Sequence, residues 1–145
     1  MLIGNWTSNI TQGRRIAIPK KFRDKLGERF VVARWYEKCL VLVTFDDWLE
    51  LLNKITGKIE FITEPVRDTE RFIIGSAFEL APDSQGRIII PEQLYAYAGF
   101  EKDVIFVGLG NRVEIWDSHE WKEREKYIID NSNTLLERVV IKTNA

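Results

Sequence analysis

The chain has 145 residues, 45% hydrophobic and 30% charged, which is enough apolar content to bury a core and excludes a disordered chain. No apolar run approaches the roughly 18 to 20 residues that span a bilayer, and the first residues lack the basic, apolar and small-residue pattern of a secretory leader, so a cytoplasmic location is expected. With one Cys, one His and a net charge of −1, the composition excludes an internal disulfide framework and the usual structural zinc site, and at first sight disfavours nucleic acid as a partner.

Residues 2–10 read as a strand with Trp6 and Ile10 on one parity. Gln12-Gly13 breaks it. Arg15 to Ile18 then alternates polar and apolar up to Pro19, as a short strand does. Pro19 suits the first turn of a helix that Phe22 and Lys25-Leu26 carry to a C-terminal cap at Gly27. Phe30 to Arg34 and Cys39 to Val43 are strands separated by a hairpin loop, Trp35 to Lys38. Thr44, followed by Asp47, caps a helix through Trp48, Leu49, Leu51, Leu52 and Ile55. Gly57 to Arg67, with Pro65, reads as a connector. The order then replays: strand 71–80, loop 81–86, strand 87–90, and a helix from Pro91 to Gly99. Strand 104–107, a turn at Gly108 to Asn111, strand 112–116 and a helix capped by Asp117 or Ser118 follow. A last helical stretch covers Leu135 to Val140.

This replay is a duplication. Thr11 to Pro19 returns 72 positions later as Asp83 to Pro91, and Cys39 to Thr44 matches Arg112 to Asp117 at an offset of 73. Two copies of one unit imply an internal pseudo-two-fold axis. Short strands with non-local pairing imply an α+β architecture around a small barrel-like sheet.

The distribution of charge brings nucleic acid back as a partner. Residues 1–30 hold Arg14, Arg15, Lys20, Lys21, Arg23, Lys25 and Arg29 against Asp24 and Glu28, a local +5 on a remainder of −6. Such asymmetry suits a polyanion, or is simply a solvated helix surface. Catalytic signals are poor. His119 lies at a helix start among polar residues, Cys39 sits in an apolar strand, and Gly108-Leu109-Gly110 lacks the rest of a phosphate-binding fingerprint. No enzyme activity, cofactor or metal is expected. The Arg that precedes each short strand, Arg15 and Arg87, is the better site: a guanidinium there fits phosphate, or the O6 and N7 of guanine, through its bidentate fork. Asp83 beside Arg87 either braces the loop without a ligand or preorganises the Arg.

The two Asp-x-x-x-Arg-type motifs, the Arg-Ile-x-Ile-Pro continuation and the Val-Gly-x-Gly-Asn-x-x-Glu-Ile-Trp stretch from Val107 to Trp116 resemble the MraZ family of bacterial transcriptional regulators, over about Leu2 to Trp121. The resemblance implies two SpoVT-AbrB-like swapped-hairpin units, at 1–56 and 71–121, with a connector at 57–70 and a helical tail at 122–145. It further implies a ring-like homo-oligomer, associated with the nucleoid, that binds double-stranded DNA at short repeated boxes ahead of the cell-division and cell-wall genes. Neither a membrane nor a small-molecule substrate is implied. Carried over, the DNA-contacting motif falls on Asp83 and Arg87 and on Arg15. The DNA-binding face is then expected to carry Arg14, Arg15 and Arg87, with Lys20, Lys21 and Arg23 as supporting phosphate contacts. The first copy departs from the pattern: Thr11 replaces the Asp, Gly13 comes one place early, and Arg14 takes the Gly position. Tighter phosphate binding with looser base selectivity is expected there. Two other readings stay open: an antitoxin-type interaction module, and a structural ring whose Arg loops brace subunit contacts.

Overall fold

In the computed structural model, which describes residues 1–57 and 62–144, the apolar alternation of each sequence copy becomes four strands. The first copy gives β1 (Leu2–Thr11), β2 (Arg15–Ala17), α1 (Lys20–Leu26), β3 (Phe30–Arg34), β4 (Leu40–Val43) and α2 (Phe45–Thr56). After α3 (Glu64–Ile73), the second gives β5 (Phe78–Leu80), β6 (Arg87–Ile89), α4 (Glu92–Ala98), β7 (Asp103–Gly110), β8 (Val113–Asp117) and α5 (Ser118–Asp130). α6 (Ser132–Asn144) ends the described chain. Local signals set the boundaries. Thr44 Oγ1 accepts from the Asp47 N–H at 3.2 Å to cap α2, and the Asp117 carboxylate accepts from the N–H groups of His119 and Glu120 to cap α5.

The strands form one antiparallel sheet in the order β5-β3-β4-β8-β7-β1-β2-β6. Its end strands, β5 and β6, are joined by the 81–86 loop, where the Asp83 N–H donates to the Arg87 carbonyl at 2.8 Å, so the sheet nearly closes into a barrel. The copies interlock. β1 of the first pairs with β7 of the second from Leu2↔Gly110 to Asn9↔Asp103, and β5 of the second pairs with β3 of the first. The pseudo-two-fold axis passes between residues that face their own sequence equivalents, Ile16↔Ile88 in β2–β6 and Val41↔Glu114 in β4–β8. These two crossings lie on opposite walls of the barrel.

Period-2 alternation sorts the side chains onto two faces. Ile16, Ile18, Phe22, Phe30, Leu40, Leu42, Ile88, Ile90, Leu94 and Phe106 fill the interior, with contributions from both copies. Val31, Val41, Val43, Ile105 and Trp116 face outward and are covered by Trp48 and Leu51 of α2 and Ile73 of α3. Gly108 is required by the long β1–β7 ladder: a Cβ there would meet the backbone of Leu2 and Ile3 at 2.7–2.9 Å.

Two expectations fail for tertiary reasons. The strand expected at 71–80 shrinks to β5, because α3 runs to Ile73 and a single 3-10 turn, Ile74–Ser76, follows it. Pro65 in the first turn, and Val66 and Ile73 buried seven residues apart, make this an amphipathic helix; of the connector expected at 57–67, only 58–61 lies outside the described residues. The turn expected at Gly108 to Asn111 narrows to Asn111 and Arg112, since pairing with β1 holds Gly108 to Gly110 in the strand. Arg34 of β3 secures α3. Its Nε donates to the Phe72 carbonyl at 2.9 Å and its Nη2 to that of Arg71 at 3.2 Å, satisfying carbonyls at the helix C-terminus. Arg34→Ala is expected to lower stability by about 1–3 kcal/mol, read as an earlier urea midpoint with an unchanged slope.

Candidate nucleic-acid interface

β2 and β6 form a two-stranded ribbon at one wall of the barrel. Antiparallel pairing sets Arg15 opposite Ile89, Ile16 opposite Ile88, and Ala17 opposite Arg87. Alternation then puts Ile16 and Ile88 into the core, and Arg15, Ala17, Arg87 and Ile89 together on the outer face. The ribbon is stitched symmetrically at both ends, by Ile18 N–H to the Gly86 carbonyl and Ile90 N–H to the Arg14 carbonyl, each at 3.0 Å.

The loop before each strand fixes its Arg. Asp83 Oδ1 accepts from the N–H groups of Gln85 and Arg87, both at 2.9 Å, while Oδ2 accepts from Arg87 Nε at 3.1 Å. The Arg87 backbone N–H, and then the other donors, hold the Asp83 carboxyl below its ordinary range. A carboxyl whose folded value is depressed supports the fold above its unfolded value and loses that support as pH falls through the lowered one. The Asp83 brace therefore persists through mild acid. In the first copy Thr11 cannot ion-pair, and its hydroxyl instead donates to the Arg15 carbonyl at 3.2 Å. Arg15 Nη1 is held by the Gln12 carbonyl at 3.0 Å. Arg15 and Arg87 share one hollow of about 340 Å³, with Asp83 and Ile89 in its wall. The structure thus unites the two Arg residues that the sequence singles out 72 positions apart.

Among the described residues no group of three or more His, Cys, Asp and Glu could hold a metal ion, and no helix is long and apolar enough to cross a membrane. Cys39 is buried, and burial pushes its thiol pKa strongly upward, so it stays a protonated, inert thiol. The Glu114 carboxyl, whose pKa is raised by burial, lies at the opposite wall from the ribbon.

Residues 73–141 match the family model described as "MraZ protein, putative antitoxin-like". "Transcriptional regulator MraZ" of Caldanaerobacter subterraneus subsp. tengcongensis is 39% identical over 126 residues, covering 87% of each chain. The protein of the same name from Syntrophomonas wolfei is 34% identical over 140 residues, 97% of each chain. The chain belongs to the MraZ family. The solution structure of PHS018 from Pyrococcus horikoshii aligns with 79% of this chain and 88% of its own at 12% identity and a TM-score of 0.33, a distant similarity.

Within this MraZ-family chain the two copies are not equivalent, and the structure gives two of the expected DNA-binding residues, Arg14 and Arg23, internal work. Arg14 adopts a left-handed backbone, φ +57°, at the position where the second copy has Gly86 at φ +78°. Its Nε donates across the axis to the Ile90 carbonyl at 3.0 Å. At the symmetry-related site the Ile18 carbonyl accepts from Arg23 Nε at 2.9 Å, and the Arg23 guanidinium covers Gly86, where a Cβ would lie 2.5–2.7 Å from it. Each strand end is therefore braced by an Arg, supplied by a loop on one side and by α1 on the other. Lys20 is exposed and pairs with Asp24 at 3.2 Å, and Lys21 is exposed beside Gly4 and the ring of Phe22. Neither Ala17 nor Ile89 of this face stands out in the sequence, and Ile89 is hidden because it sits in an apolar strand run. Its parity with Arg87 is the signal that could have found it.

Proposed function

We propose that this chain is a transcriptional regulator that binds double-stranded DNA through the outer face of the β2–β6 ribbon. The observation that carries this reading is the hollow that Arg15 and Arg87 line together on the two-stranded ribbon. The outer face of such a ribbon can be presented to a major groove, where a guanidinium reads the O6 and N7 of guanine. Arg14 and Arg23 act as positioning residues beneath it, and exposed Lys20 and Lys21 supply phosphate contacts. The names of the MraZ relatives agree with a regulatory role.

A single ribbon reads a short box. Tandem copies of that box, bound by adjacent subunits of a ring-like homo-oligomer in the cytoplasm, add roughly 10²–10⁴ in affinity through effective concentration. Boxes about 10 base pairs apart place successive subunits on one side of the duplex. Repeated boxes ahead of division and cell-wall genes are the proposed targets.

Fluorescence anisotropy tests this directly. DNA from upstream of the chain's own gene is compared with a scrambled duplex at two salt concentrations. A clear preference for the native duplex supports the reading. Equal and feeble binding to both overturns it in favour of a protein-interaction module. Lys21→Ala is expected to lower the log–log salt slope by about 0.9, the value for one lost phosphate contact, without changing the order of preference among duplexes.

A further inference from the structure

We infer that Ile89 is a specificity-determining residue, reading the C5-methyl group of a thymine next to the guanine read by an Arg of the ribbon; this rests on the DNA-binding reading above. On the outer face of an edge ribbon, alternation calls for polar side chains, and Arg15 and Arg87 meet that rule. Ile89 does not. It is 47% exposed, while Ile88 beside it is 2% exposed and Ile90 is fully buried. Nor is Ile89 a stray surface residue, for it lines the same hollow as Arg15 and Arg87.

The chemistry of the groove supplies a partner. Among the base edges of the major groove, the thymine methyl is the apolar feature, and aliphatic side chains contact it. Ile89 is directly opposite Arg15, and side chains so paired stand about 4.5–5.5 Å apart at Cβ. That separation compares with a rise of about 3.4 Å per base step, so the two address neighbouring base pairs. The pseudo-symmetric position is Ala17, opposite Arg87, which carries one methyl where Ile89 carries a branched chain of four carbons. The outer face is therefore directional: one half demands a thymine and the other tolerates any base. A chain with an internal two-fold axis would by this means be set in one orientation on a non-palindromic box.

The test uses the native duplex with its thymines replaced one at a time by deoxyuridine, which removes only the methyl group. Anisotropy is read with the wild-type chain, Ile89→Ala and Ala17→Ile. The wild type is expected to lose about fourfold in affinity at one thymine, which is ~0.8 kcal/mol for one buried methyl at 1.4 kcal/mol per tenfold. Ile89→Ala should bind the thymine and deoxyuridine duplexes equally, and Ala17→Ile should gain a second thymine dependence on a duplex that carries thymine at the symmetry-related position. A wild type indifferent to every replacement, or an Ile89→Ala variant that still discriminates at the same thymine, overturns the inference while leaving Arg87-dependent DNA binding intact. Absence of specific binding by the wild type removes both readings together.

Discussion

Arg87→Ala is expected to weaken binding to the native duplex by about 1–3 kcal/mol per site and to relax its preference over scrambled DNA. Arg87 carries this effect because its guanidinium is both braced and available. Nε is held by Asp83 Oδ2, and the side chain remains 35% exposed in the hollow on the outer face. Preorganisation of this kind lowers the entropy lost when the fork meets a base edge. Arg87→Lys separates charge from geometry, since an ammonium keeps the phosphate attraction but cannot form the bidentate pair. It should retain salt-dependent binding and lose sequence preference. On tandem boxes the loss compounds across subunits, so the oligomer should fall by more than a single site does. Because the Arg87–Asp83 pair is well exposed, its removal should leave the melting temperature nearly unchanged. A large thermal shift would indicate a role in holding the barrel together, and unaltered DNA preference would remove Arg87 from the interface.

Phe106→Ala should have the largest effect on stability. Phe106 is fully buried in the barrel interior, on the strand that joins the copies, paired to Trp6 of β1 on one side and Ile115 of β8 on the other. Truncating a buried Phe removes its transfer free energy and leaves a cavity that a sheet tied on both edges cannot close, a loss of about 3–5 kcal/mol. For a chain of this size that corresponds to a drop of roughly 10–20 °C in melting temperature. Both copies should melt together, because the interior contains Ile16, Phe22 and Phe30 of the first copy with Ile88, Leu94 and Phe106 of the second. Calorimetry checks this: a single lowered transition agrees with the shared core, whereas two transitions, one unmoved, would show that the copies are independent.

Local signals make much of this molecule legible without its fold. Thr44 and Asp117 cap α2 and α5, Gly27 and Gly99 follow α1 and α4, and the repeat of Thr11 to Pro19 as Asp83 to Pro91 marks two related units with an Arg in each. Those features depend on residues a few positions apart, so composition and spacing carry them. Tertiary structure decided what depends on distant partners. It set β1 against β7 and β5 against β3, and brought Ile16 to Ile88 so that Arg15 and Arg87 share one face. It also gave residues 64–73 to a helix, and turned Arg14 and Arg23 from surface cations into braces for the Ile90 and Ile18 carbonyls. Ile89 shows the division most clearly. Its parity with Arg87 is written in the sequence, but that it stands opposite Arg15 was settled only when β2 of the other copy paired with β6, because a shared face belongs to the pairing of strands and not to either strand alone.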